Sequence, residues 1–306
     1  MEQDKIEKSA RFWDKNIRIH EEKKNYIHWM DSPLVQENCL KKLIIENKSI
    51  SVTQWVLWVK EKYAQNPFNY GLSLGCGDGT LERHVILYKI CRQIDAYDNS
   101  KKSIEIAKQL CKKNNLEHSI NYQQKDINDI ILEKNKYDVV FIGSALHHFE
   151  NLEHIFNEIK NSLKKGGLLI INEFIGPNQF QWEDKQLKII NDLLNILPQD
   201  LKMNRVTKDI KSRVTKPTID SMNAIDPSEA IRSSEIIPIL NNYFEIIERI
   251  DYGGTILHLL LYGIVDNFEE MNEKDICILK LLRYLEDILI SENVLTSDFT
   301  IIVAKN

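Results

Sequence analysis

The pentapeptide Gly75-Cys76-Gly77-Asp78-Gly79 could hold a carboxylate or phosphate against bare main chain. Glycines at alternate positions adopt backbone angles that a Cβ resists, and they let a ligand approach closely. A helix starting near Thr80 would add unpaired amides and the positive end of its dipole. A plain tight turn would use the same glycines. Asp98 lies 21 positions after Gly77, near the spacing that sets an acid on ribose hydroxyls in dinucleotide-binding units. It could equally be the acid of a helix N-terminus. Loop and acid in one βαβ unit together point to a ribose-bearing cofactor. His147-His148 is the second chemical signal: imidazoles titrate near neutral pH and could act as a general base, or could simply shape a pocket.

These groups need rigid elements to hold them. Residues 1–66 read as an N-terminal helical segment, with Trp55, Trp58 and Tyr63 at helical spacing and Asn66-Pro67 closing it. From residue 67 to 175 strands and helices alternate. The pattern predicts strands at 71–74, 92–97, 119–124, 137–142 and 168–171, and helices at 100–112 and 152–163, the first capped by Ser100. That rhythm implies an α/β fold with a doubly wound parallel sheet. Residues 176–240 break it with helical pieces (184–197 and 228–240) around a polar middle, and form a helical cap. Residues 241–306 return to strands at 244–250 and 299–303 with helices inserted. The helix at 274–290 carries Ile278, Leu281, Leu282, Leu285 and Leu289 on one face.

Composition narrows the classes. The net charge of −5 speaks against a chain that coats nucleic acid along its whole surface, and no DNA partner is expected. Mixed-charge runs such as Glu21-Glu22-Lys23-Lys24 read as solvated helix faces. The five cysteines show no CxxC pair, as suits reduced thiols in a cytoplasm. The longest apolar run, near 256–265, is about half of what a bilayer needs, so no membrane span is expected. A homodimer stays open.

The residues then carry a resemblance. Leu72-Ser73-Leu74-Gly75-Cys76-Gly77-Asp78-Gly79 resembles motif I of the class I (Rossmann-like) S-adenosylmethionine-dependent methyltransferases, small-molecule type. Ile94-Asp95-Ala96-Tyr97-Asp98-Asn99-Ser100, with Ala107, resembles their second motif, and Lys125-Asp126-Ile127 their adenine-binding step. The stretch from Tyr137 through Ser144-Ala145-Leu146-His147-His148-Phe149 resembles motif IV, and Leu163-Lys164-Lys165-Gly166-Gly167 the turn into strand five. A nicotinamide enzyme would want a glycine where Thr80 stands. The resemblance implies seven strands and S-adenosylmethionine as cofactor. Gly75, Cys76, Gly77, Asp78 and Gly79 would line its methionine part, Asp98 and Asn99 its ribose, Asp126 and Ile127 its adenine, and Ser144 the neighbourhood of the sulfonium. The family's acid two residues before the first glycine is here Ser73.

For the acceptor the sequence offers Trp13 (beside Phe12), Arg232 and Tyr252. Arg232 reads either as a carboxylate or phosphate clamp or as a surface partner of Glu229 three residues away. Tyr252 and His258, around Gly253-Gly254, read as cavity residues or as core. His147 and His148 are the candidate bases. Asn172 and Glu173 do not make a metal triad, so no metal is expected, and the (N/D)PPY-type motif of base-methylating enzymes is missing. The leading expectation is methyl transfer to oxygen or nitrogen of a small molecule, such as a sugar or secondary-metabolite intermediate. A protein or RNA methyltransferase, and a cofactor-binding protein without transferase activity, are the alternatives.

Overall fold

A seven-stranded sheet is the middle layer of residues 28–306, the part of the chain that the computed structural model describes. It is preceded by helix α1 (Pro33–Cys39), a hairpin of β1 (Lys41–Ile45) and β2 (Lys48–Ser51), and helix α2 (Trp55–Tyr63). Then come β3 (Phe68–Leu74), α3 (Thr80–Leu87), β4 (Cys91–Asp98), α4 (Lys101–Lys113), β5 (Ile120–Gln124), β6 (Tyr137–Gly143), α5 (Leu152–Ser162) and β7 (Leu163–Phe174). The cap carries α6 (Asp184–Ile196), α7 (Ile219–Ile225) and α8 (Ile236–Leu240). The chain returns through β8 (Glu245–Gly253), α9 (Leu257–Leu261), α10 (Glu273–Ser291) and β9 (Phe299–Lys305).

The strand order is β5-β4-β3-β6-β7-β9-β8, parallel except that β9 runs against both β7 and β8. Because β3 lies between β4 and β6, the crossovers leave it in opposite directions. A crevice opens beyond the carboxyl ends of these strands, where such sheets bind ligands. Side chains alternate across the sheet with period two. Val139, Phe141, Ile170, Ile301 and Val303 enter one core layer, and Val140, Ile142, Leu169, Ile171 and Ile302 the other. Apolar runs buried on both faces are what a central parallel strand requires.

Two expectations needed correction. The segment before residue 67 is not helical throughout, since β1 and β2 pair antiparallel across Glu46 and Asn47. Both turn residues have positive φ (46° and 66°), the backbone of a tight hairpin turn whose twist matches its strands. Amphipathic α10 keeps Leu282 buried and Ile278 and Leu289 against the core as expected, but its buried face is rotated away from Leu281. Leu281 is 61% exposed, while Asp275, Leu279, Leu282, Arg283 and Glu286 are buried. Glu286 turns inward because it accepts hydrogen bonds from the amides of Gly254, Ile256 and Leu257 (3.2, 2.6 and 3.1 Å) and pairs with Arg283 at 3.0 Å. A buried carboxyl with four partners overrides the leucine stripe.

Candidate active site

The glycine loop leaves β3 and turns over the end of β4. Gly75 and Cys76 amides both donate to the Tyr97 carbonyl (2.8 and 3.1 Å), and Gly79 caps α3. All three glycines have positive φ, but for different reasons. A Cβ on Gly75 would lie 2.3 Å from the Ala145 Cβ, and one on Gly79 2.3 Å from the Tyr122 hydroxyl. Those two glycines are demanded by packing within the protein. Gly77 has φ +52° and, among the described residues, no atom within 4 Å of its Cβ position, so there the bare backbone leaves space in which a ligand fits.

Asp98 closes the other side. Its Oδ2 accepts from the Gly77 amide and its Oδ1 from the Ser100 amide, both at 2.8 Å. A carboxylate in this place can also accept from ribose hydroxyls. Asn99 acts as a latch: its Oδ1 accepts from the Ile127 amide (3.0 Å) and its carbonyl from Gln124 (3.1 Å). That fixes Ile127, buried, and Asp126, whose Oδ1 holds the Asn128 amide at 3.0 Å. These residues share the carboxyl edge of β3, β4 and β5 and fit the expected cofactor. Asp78 instead accepts from the Thr80 amide and hydroxyl at the start of α3 and is half-buried, and buried Cys76 has its thiol pushed well up by burial.

The acid missing at position 73 is found nearby. Glu82, on the first turn of α3, is fully buried next to Ser73 and without a close hydrogen bond to it. Burial pushes its carboxyl up to about 7. Nothing in the motif flags it, although an acid three residues before buried Val85 on a short helix is unusual.

Beyond β6, Ser144 is exposed with φ +51°, and its amide donates to the Asn172 carbonyl at 2.8 Å. The turn then carries His147 and His148. Glu173, fully buried at the end of β7, accepts from the amides of Ala145 (3.0 Å), Leu146 (2.6 Å) and Phe174 (2.7 Å). It also takes a short hydrogen bond from His147 Nδ1. The cap descends onto the same turn: the Ile231 amide donates to the His147 carbonyl at 3.1 Å, and Ser228 Oγ meets His148 Nδ1 at 3.1 Å. Glu229 faces both rings, its oxygens 3.5 Å from His147 Nε2 and 3.9 Å from His148 Nε2.

The electrostatics separate the two histidines. Burial alone would push His147 down, but the charge and hydrogen bond of Glu173, backed by Glu229 and Asp226, hold it at about 9. His148 is pushed well below the usual range by burial and then by its charged neighbour. Burial raises Glu229, against the pull of His147. His147 is therefore protonated at neutral pH in this arrangement and is not a free base, whereas sequence reasoning ranked it first.

The other acceptor candidates disperse. Trp13 lies outside the described residues. Arg232 does not clamp a ligand and does not pair with Glu229: it forks onto Glu153 (2.7 and 2.8 Å) and Glu235 (2.7 Å). It stands in a turn before the short 3-10 helix Ser233–Glu235, not in the helix expected over 228–240. Tyr252 is core: 1% exposed, stacked with Phe299, its hydroxyl donated to Asn172 at 2.8 Å. The expectation of no metal weighed Asn172 and Glu173, but the structure assembles a different set, His147, His148 and Glu229, whose donor atoms lie within 4.8 Å of one another. Glu229 stands 81 positions beyond His148, so no local spacing announces it.

Comparison with known proteins follows this geometry. Residues 72–171 match the family described as "Methyltransferase domain". A sterol 24-C-methyltransferase of Candida albicans is 29% identical over 109 residues, covering 36% of this chain and 29% of that protein. A demethylmenaquinone methyltransferase of Porphyromonas gingivalis is 29% identical over 114 residues, covering 37% and 45%. The match thus spans less than half the length of these curated relatives. In fold the chain is similar to geranyl diphosphate C-methyltransferase of Streptomyces coelicolor A3(2), solved with Mg2+, geranyl diphosphate and S-adenosyl-L-homocysteine. That likeness has a TM-score of 0.57 at 10% identity and covers 98% of this chain and 97% of that one. Among the described residues no helix is long and apolar enough to cross a membrane. With the strand order, the glycine loop and the family match in agreement, residues 72–171 are a class I methyltransferase domain of Rossmann-like fold, whose cofactor is S-adenosylmethionine.

Proposed function

We propose that the chain transfers a methyl group from S-adenosylmethionine to oxygen or nitrogen of a small molecule. The observation that carries this reading is the abutment of the glycine loop and the histidine turn. A Cβ on Gly75 would strike Ala145, two residues before His147. A cofactor held at Gly77 and Asp98 therefore ends beside the histidines. The bound cofactor supplies a sulfonium-activated methyl group. The C–S bond breaks as the bond to the acceptor forms, and the electron pair stays on sulfur. Alignment of the two reactants is where a protein helps such a displacement most. Gly77 and Asp98 hold one side, and the cap segment 226–231 closes over the other. As the acceptor atom loses its proton, Glu229, whose carboxyl burial pushes up, is the group placed to take it.

Enclosure favours a small acceptor over RNA or protein. The cap is hydrogen-bonded to the turn itself, and Arg232, the cap arginine next to that contact, is spent on Glu153 and Glu235. The five free cysteines suit a reducing compartment, and we place the protein in the cytoplasm. Purified chain incubated with methyl-labelled cofactor and a cell lysate is expected to label the dialysable fraction. Label confined to RNA or protein overturns the small-molecule reading.

The glycines give a sharper check. Gly77→Ala should fold with a loss of about 1–2 kcal/mol for a left-handed alanine, yet lose cofactor affinity because its methyl enters the ligand's space. Gly75→Ala should instead lower the unfolding temperature, its Cβ having no room beside Ala145. Calorimetric titration with adenosylhomocysteine and thermal unfolding read the two effects separately. Equal binding in Gly77→Ala and the parent would remove the ligand from this loop.

A further inference from the structure

We propose that His147, His148 and Glu229 bind one divalent transition-metal ion. Both rings are already oriented from behind, Nδ1 of His147 by Glu173 and Nδ1 of His148 by Ser228 Oγ. Metal-binding histidines are held in this way, one nitrogen fixed by a carboxylate or hydroxyl and the other turned to the ion. The two Nε2 atoms converge on a single carboxylate, Oε1 at 3.5 Å and Oε2 at 3.9 Å, separations too long for hydrogen bonds. Ligands about 2.1 Å from a shared ion stand roughly 3.0–3.4 Å from one another. Side-chain rotations of about an ångström would close the triad on an ion, with no backbone rearrangement.

Charge points the same way. Asp226 is 2% exposed, and its Oδ2 has no hydrogen-bond partner and lies 3.8 Å from His148 Nδ1. Glu173, Asp226 and Glu229 thus crowd one small volume, and among the described residues the basic groups within ion-pair range of them are the two histidines alone. Buried carboxyl groups in excess over cations are costly unless a positive charge joins them. Two imidazoles with a carboxylate suit zinc, iron or manganese and poorly suit magnesium, which prefers oxygen ligands. Binding would displace the His147 proton, since a metal ligand must be deprotonated.

Three protein ligands leave coordination positions open, and the cluster is only partly exposed, His148 by 14% and Glu229 by 21% of their side chains. An acceptor hydroxyl would enter there, acidified by the ion, and Glu229, then a ligand, would give up its role as the base. This last role rests on the methyl-transfer reading; the metal site does not.

The test uses the full chain, stripped with a chelator and titrated with Co2+ as a visible probe and Zn2+ as competitor. One equivalent of Co2+ is expected to give the absorption bands of a four- or five-coordinate nitrogen–oxygen site, and Zn2+ to abolish them while Mg2+ does not. Glu229→Gln should weaken Co2+ binding at least tenfold, and Ser228→Ala, which removes the hydroxyl that steadies the His148 ring and bonds Asp226, about 10- to 100-fold. His154→Ala, on the first turn of α5 with its ring turned to the Ile130 carbonyl, should leave it unchanged. No saturable binding, or binding unaltered in both Glu229→Gln and Ser228→Ala, overturns the proposal. Adenosylhomocysteine titration of the same stripped samples separates this failure from that of the cofactor reading.

Discussion

An Asp98→Ala variant is expected to bind adenosylhomocysteine at least about 100-fold more weakly than the parent. The carboxylate sits at the carboxyl end of β4 with one oxygen on the Gly77 amide and the other on the Ser100 amide. A carboxylate there is the group that accepts from both hydroxyls of a ribose diol. Hydrogen bonds to a charged group are worth about 1.5–3 kcal/mol each, and every 1.4 kcal/mol is about tenfold in affinity. Losing two gives roughly 10²–10⁴. The alanine also releases Gly77, so part of the loss could come from a loosened loop. Asp98→Asn divides the two causes, because an amide oxygen can still hold one backbone N–H while the negative charge is gone. We expect Asn to recover thermal stability but only a minor part of the affinity. Undiminished binding in Asp98→Ala, read by calorimetry, would remove the ribose from this carboxylate.

The parts of the molecule that were legible in the sequence are those where local pattern and tertiary role coincide. β6 is an apolar run because both its faces are covered, and Gly75, Gly77 and Gly79 stand where the chain needs positive φ. The strands, the cofactor loop and Asp98 follow from such signals. Three features were illegible, each because a long-range partner decides it. Leu281 reads as core until Glu286, needed by the amides that start α9, turns the helix by about one position. Arg232 reads as a ligand clamp or a partner of Glu229 until Glu153, on α5, offers a forked partner. Glu229 itself is a surface-like glutamate in the sequence and becomes a site residue only because the Ile231 amide docks on the His147 carbonyl. The hairpin at 41–51 is a different case. Glu46-Asn47 is not a strong turn pair, and the flanking tryptophans and tyrosine carried a helical period over it.

Glu82 gives the last expectation, and its sign follows from where its proton goes. In the unfolded chain its carboxyl titrates near 4.5, and in the folded protein burial holds it at about 7. The folded state thus keeps a proton that the unfolded state has released, so stability from this group is full below about pH 4.5 and declines as pH rises toward 7. The gap of about 2.5 pH units, at about 1.4 kcal/mol each, corresponds to roughly 3 kcal/mol. Glu82→Gln has no proton to lose and keeps a similar shape, and its amide can donate to Ser73 Oγ, which has no close partner in the parent. The variant should therefore match the parent near pH 5 and exceed it at pH 8 by up to about 3 kcal/mol in urea unfolding. Asp298, also raised by burial to about 7, leaves a residual slope in both proteins and cancels in their difference. Parallel stability curves for variant and parent from pH 5 to 8 would mean that Glu82 is already charged beneath the glycine loop.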